Sequence, residues 1–265
     1  MHKHLFLLFS LLPLLLACQS PQDKVRNFGK YYAEEGVSGC FVLYDLQAQT
    51  YTIHNPAQAD SLFLPASTFK ICNSLIALET GVAPDVDFML PWDSVERQVP
   101  AWNQDTDMRM GFRNSTVWYY QEIARRIGQE RMDAWLEKLK YGNAEASGGI
   151  DLFWLTGGLR TTPRQQVEFI TRLVGNELPL SQRSMDLVKE IMVYDETETY
   201  TLRAKTGWGF MGEENIGWFV GYVEKGGNIH VFANCIQTAD VEGLDFARTR
   251  IDIAYRILEE TVLDK

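Results

Sequence analysis

The chain has 265 residues, of which 46% are hydrophobic, 12% aromatic and 23% charged. That is the composition of an ordinary globular protein, not of a disordered, collagenous or multiply membrane-spanning one, and the length suits one large domain with an ample core. Twenty-five basic residues stand against 35 acidic ones, for a net charge of −10 without any basic run, which argues against a nucleic-acid partner.

Met1-His2-Lys3-His4 is a short basic start, and residues 5–17 form an apolar run broken only by Ser10 and Pro13. The run is too short to cross a bilayer and has the shape of an export-signal core. It ends in Leu15-Leu16-Ala17-Cys18, which resembles a bacterial lipobox. That resemblance implies removal of residues 1–17, a lipid on Cys18, and a periplasmic protein that meets the membrane only through this anchor. Residues 18–265 are expected to form a single domain.

Val25, Phe28 and Tyr32 at helical spacing predict a helix over residues 24–35, closed by Gly36. Residues 39–44 and 50–54 read as two strands joined by a turn. Residues 67–81 read as a buried helix, apolar nearly all round. The stretch of about 85–195 is mostly helical with long loops, including one clear helix after Ser115. Residues 200–205, 216–224 and 229–236 read as strands, the last two joined by Lys225-Gly226-Gly227-Asn228. A closing helix covers about 244–260. Strands at both ends and helices between them predict an α+β fold. Its antiparallel sheet is built from both ends of the chain, flanked by the terminal helices, with a helical subdomain at about 85–195 beside it.

After Cys18 the cysteines are Cys40, Cys72 and Cys235, without a CxxC pair and in apolar surroundings. They read as core residues, with a Cys40–Cys72 bridge the open alternative. Beyond the signal the histidines are His54 and His230, both in strand-like segments. No metal site is expected, and hydrolysis here needs a base other than imidazole.

Ser67-Thr68-Phe69-Lys70 is an SxxK element read as opening a helix. Positions i and i+3 share a helix face, so the lysine amine can reach the serine hydroxyl, and free N–H groups at a helix start favour a developing oxyanion. SxxK alone arises about once by chance in a chain of this length. Two further elements add weight: Ser115-Thr116-Val117 at a second helix start, where Ser115 also reads as an N-cap, and Lys205-Thr206-Gly207, read as ending a strand. The literal GxGxxG of residues 207–212 is followed by acidic residues and another strand, and so is rejected as a dinucleotide site.

The chain therefore resembles the class D, oxacillinase-type serine β-lactamases over about residues 36–260. The resemblance rests on Pro65-Ala66-Ser67-Thr68-Phe69-Lys70, Ser115-Thr116-Val117-Trp118-Tyr119-Tyr120-Gln121, Tyr141-Gly142-Asn143, Asp151-Leu152-Phe153-Trp154-Leu155, Lys205-Thr206-Gly207-Trp208 and residues 217–224. It implies hydrolysis of penicillin-type β-lactam antibiotics through a Ser67 acyl-enzyme. Lys70, neutral beside apolar Val117, is N-carboxylated by CO2 or bicarbonate and serves as general base; no other cofactor is implied. Trp154 donates to the carbamate, Ser115 relays a proton to the leaving nitrogen, and the N–H groups of Ser67 and Trp208 form the oxyanion hole. Lys205, Thr206, Gly207 and Arg250 bind the substrate carboxylate, with Arg248 the competitor of Arg250. Tyr141-Gly142-Asn143 either shapes the site or is a plain turn. Thr156 and Phe112-Arg113 depart from the family pattern at positions bearing on substrate preference. A β-lactam sensor or a penicillin-binding peptidase, acylated without fast turnover, is the alternative reading.

Overall fold

The computed structural model describes residues 22–264; the export signal and Cys18 lie outside the described residues. The chain opens with β1 (Gln22–Val25), α1 (Gly29–Glu34), β2 (Ser38–Asp45), β3 (Thr50–His54) and the short α2 (Pro56–Ala59). The helix expected over 24–35 is thus shortened, its first two residues, Lys24 and Val25, belonging to β1. Val25 pairs with Ile53, and the Phe28 N–H goes to His54 Nδ1, so only α1 remains helical. Gly36 ends it at a φ of 68°, as a left-handed C-terminal glycine should.

A single 3-10 turn, Ala66–Phe69, leads into α3 (Lys70–Glu79). The middle of the chain supplies α4 (Met108–Arg113), α5 (Val117–Ile127), α6 (Gln129–Leu139), α7 (Pro163–Val174) and α8 (Gln182–Ile191). Then follow β4 (Val193–Glu196), β5 (Tyr200–Met211), β6 (Glu214–Lys225), β7 (Asn228–Thr238) and α9 (Phe246–Leu258).

The seven strands lie in the order β1-β3-β2-β7-β6-β5-β4. The expected antiparallel sheet from both chain ends is present, with β1 added as a parallel edge strand on β3. One face is covered by α1 and α9 through Phe28, Phe41, Phe219, Phe232, Phe246 and Ile257. The other face packs on the helical part. Its central member is α3, where Lys70 through Leu78 are all buried, as an apolar surface all round the helix requires. Truncating a fully buried member such as Leu75 to Ala costs about 2–5 kcal/mol.

One sequence expectation is corrected by strand length. Lys205-Thr206-Gly207 does not end a strand, because β5 runs on to Met211 and pairs with β6 along its whole length. Gly207 and Gly209 look like turn residues but stand mid-strand for another reason. A Cβ on Gly207 would lie 3.1 Å from Pro65 O, so glycine lets β5 pass close beneath the 3-10 turn without the turn having to shift by a few tenths of an ångström. The GxGxxG run lies along β5 and its hairpin, and no helix opens on it. Cys40, Cys72 and Cys235 are free and buried, so the Cys40–Cys72 bridge is absent.

Candidate active site

The site is assembled where the 3-10 turn, α5 and β5 meet. Pro65 O accepts both the N–H and the hydroxyl of Thr68, at 3.2 and 2.7 Å, and Gln166 Nε2 donates to the same hydroxyl at 2.8 Å. Ala66, with a φ of 49°, passes its N–H to Trp154 O at 3.1 Å. The helix expected to open at the serine is present, but Ser67 stands in its braced 3-10 first turn, and the α-helical part begins at Lys70. Lys70 Nζ donates to Ser67 Oγ at 2.8 Å, so the SxxK geometry is realised all the same.

Lys70 is 1% exposed, and burial alone lowers its amine to about 7 from the ordinary 10.5. It makes no ion pair among the described residues; the Tyr120 ring lies 5.2 Å away. Trp154 is wholly buried, its ring 5.5 Å from that of Phe69, the residue before Lys70. Its indole Nε1 has no hydrogen-bond partner among the described residues. A buried donor left unpaired costs about 1–3 kcal/mol, and this one lies in the same core as a lysine that burial favours as a free amine.

Lys205 is buried opposite, and its Nζ reaches Thr206 O at 3.1 Å and Thr206 Oγ1 at 3.3 Å. Burial first, then Lys70 and Arg250, push its amine well below the usual range. Arg250 donates to Gly207 O at 2.8 Å, is lowered to about 10 by burial, and keeps a buried Nε without a partner. Arg248 instead faces solvent and pairs with Asp252, so of the two arginines it is Arg250 that is buried against β5. Three buried basic groups thus line one cleft with no ion pair among the described residues. Such a cleft recruits an anion.

Ser115 does not cap α5. Thr116 is the N-cap, and Ser115 precedes it at a φ of 56°, with no bond from its hydroxyl. Val117 opens α5 half-buried. β4 pairs with β5 only through Arg203, and Ala204 N–H goes to Met192 O on that same edge. The twofold alternation of a strand turns the N–H groups of Thr206 and Trp208 to the open continuation of that edge. The Trp208 ring lies on the other face, against Phe246 at 5.1 Å, so its backbone is the part offered to the site. Tyr141-Gly142-Asn143 is a brace: Asn143 Oδ1 accepts the Arg160 N–H at 2.9 Å, and the Tyr141 ring packs 5.5 Å from Phe69.

Sequence reasoning gave Tyr120 no role and missed Gln166. Helical spacing does put Tyr120 one turn beyond Val117 on the same face, but does not tell that its ring reaches Lys70. Gln166 carries no such signal, because its partner Thr68 is 98 residues away.

A family model, penicillin binding protein transpeptidase domain, matches residues 39–259. Beta-lactamase OXA-48 of Klebsiella pneumoniae is 37% identical over 239 residues, covering 90% of each chain. The chain belongs to the class D β-lactamases. A class D β-lactamase structure from Nostoc is 47% identical with a TM-score of 0.84, covering 88% of this chain and 97% of its own. The C-terminal domain of the Bacillus licheniformis BlaR penicillin-receptor is 31% identical with a TM-score of 0.87, over 92% of this chain and 98% of its own. As a class D β-lactamase the chain is a hydrolase of β-lactams, and the cleft just described lies within the matched region.

Proposed function

We propose that this enzyme opens the amide of penicillin-type β-lactams through an ester on Ser67, that Lys70 works as an N-carboxylated lysine, and that the activity confers β-lactam resistance. The observation that carries the reading is the buried Lys70 amine, whose basicity burial lowers to about 7, together with the buried Trp154 indole, packed on the neighbouring Phe69, whose N–H has no partner among the described residues. These residues fit the added group: a free amine can take up CO2, and a donor-only indole suits an anionic oxygen. When present, the carboxyl group supplies a proton acceptor of carboxylate character next to Ser67.

The remaining roles follow from the chain. Lys70 Nζ, 2.8 Å from Ser67 Oγ, holds the hydroxyl in line with its proton acceptor. The substrate carboxylate settles on Lys205, Thr206 and Arg250, supplying the negative charge the cleft lacks. That docking sets the lactam carbonyl against the N–H groups of Ser67 and Trp208, which stabilise the oxyanion as it forms. Ser115 carries the proton to the departing nitrogen. Val117 keeps water from Lys70, since solvation would return the amine to its charged form.

The likeness to the BlaR receptor domain supports a second reading, in which Ser67 is acylated without turnover. Hydrolysis of a chromogenic cephalosporin with and without bicarbonate separates the two. The proposed enzyme turns over and is accelerated, whereas a single stoichiometric burst identifies a sensor or peptidase. A 13C signal from labelled bicarbonate, absent in Lys70→Ala, tests the lysine directly. We further propose export as a periplasmic lipoprotein anchored at Cys18. Incorporation of labelled palmitate, lost in Cys18→Ala, tests the anchor.

A further inference from the structure

Among the side chains assigned to the reaction, Ser115 is held in a conformation that its type disfavours. Its φ of 56° lies in the left-handed region, where a residue with a Cβ stays only if its surroundings fix it. Three backbone bonds shape the turn. Asn114 N–H goes to Met110 O at 2.8 Å, Ser115 N–H to Phe112 O at 3.3 Å, and Thr116 N–H to Gly111 O at 2.8 Å. None of these touches the carbonyl of the peptide that enters Ser115. That carbonyl, Asn114 O, is taken by the indole N–H of Trp102 at 2.9 Å. The carbonyl of Trp102 is taken in turn by the indole N–H of Trp118 at 2.8 Å. Trp118 stands in the first turn of α5, three residues after Ser115, so the bonds close a circuit from the serine turn out to the 100–102 segment and back.

The circuit acts on the right torsion. Rotation about N–Cα of Ser115 is the tilt of the 114–115 peptide plane against the serine, so pinning the carbonyl of that plane pins φ. Trp118 is itself fixed. It is 5% exposed, its ring meets Tyr119 edge-on at 6.2 Å, and the Arg97 guanidinium lies 5.6 Å from it.

We propose that Trp118 and Trp102 are positioning residues for Ser115, two indole N–H bonds in series that lock the peptide ahead of it and so aim its hydroxyl at the leaving nitrogen. The inference rests on the relay role assigned to Ser115. It predicts that losing either N–H slows formation of the Ser67 ester and leaves its hydrolysis unchanged.

Trp118→Phe and Trp102→Phe each keep an aromatic ring and remove the N–H. With a fluorescent penicillin as probe, the acylation rate is expected to fall about tenfold in each, with the deacylation rate of the preformed ester unaltered. In a Ser115→Gly background, which has no hydroxyl to aim, Trp118→Phe is expected to slow acylation no further. Backbone chemical shifts of labelled Ser115 should leave the left-handed range in Trp118→Phe. Acylation of Trp118→Phe at the wild-type rate, or an equal slowing in the glycine background, overturns the proposal. A wild-type protein that the probe does not label refutes the relay role instead. The Ser115 shifts then decide the circuit: shifts unmoved by Trp118→Phe overturn it, and moved shifts sustain it.

Discussion

Replacing Trp154 by Phe isolates one hydrogen bond that the folded chain leaves open. The indole is completely buried and its N–H has no partner, so the CO2-free protein bears the cost of an orphan donor, about 1–3 kcal/mol. Phenylalanine removes that cost while giving up part of a ring's packing, itself worth about 1–3 kcal/mol. In CO2-free buffer the two effects offset, and Trp154→Phe should unfold within about 2 kcal/mol of wild type. Bicarbonate changes the comparison. A bond from the indole to a charged acceptor is worth about 1.5–3 kcal/mol and only the wild type can make it. The bicarbonate concentration that half-saturates Lys70 should therefore rise about 10- to 100-fold in the variant, at 1.4 kcal/mol per tenfold. Titration with 13C-labelled bicarbonate measures this by NMR, alongside urea unfolding without CO2. Equal half-saturation in the two proteins refutes the assignment of Trp154. So does a loss above about 3 kcal/mol without CO2, which would mean the N–H was already satisfied.

Lys70→Met tests the buried amine through pH. The folded-state pKa of about 7 lies below the ordinary 10.5, so between these values the unfolded chain binds a proton that the folded chain lacks, and wild-type stability in CO2-free buffer rises with pH. The variant should lack that rise and be more stable than wild type at pH 6, by several kcal/mol at most; urea unfolding at pH 6 and 9 reads both, and equal slopes contradict it. Arg250→Ala should raise KM about 10- to 100-fold for a carboxylate-bearing penicillin, the worth of one charge-assisted bond, while Arg248→Ala stays within about twofold. Steady-state kinetics that rank the two the other way would reassign the anchor. Gly207→Ala places a methyl 3.1 Å from Pro65 O and should cost about 1–3 kcal/mol while displacing the Ser67 turn; an unchanged Tm together with unchanged acylation would show that the turn yields freely.

Much of this arrangement was legible in the residues, but unevenly. Apolar runs and turn glycines placed β2, β3, β6, β7 and α9, because each buries a face whose period shows in the sequence. SxxK told its own geometry, since i and i+3 meet in a 3-10 turn as they do in an α-helix. What escaped was set by distant partners. β1 is a strand only because β3 offers it an edge, and its residues are all exposed. β5 seemed to stop at Gly207 because the need for close approach to Pro65 looks, in sequence, like a turn. Ser115 carried the signature of a helix cap, yet the first capping position falls one residue later because the 114–115 peptide is turned over. Apolar Val117 pointed to a Lys70 of low basicity, but the burial that lowers it, along nine consecutive buried residues of α3, is set by the packing of that helix.

The order of synthesis gives the sheet a consequence of its own. Ser67 and Lys70 are made early, but the strand beneath them, β5, comes some 130 residues later, and Arg250 belongs to the last long helix. The N-terminal β2 pairs directly with the C-terminal β7, so no partial chain can close the sheet. A polypeptide still emerging from the ribosome holds Ser67 and Lys70 without the strand and helix that complete the cleft around them. Reactivity arrives in one step, when the end of the chain folds back on its beginning.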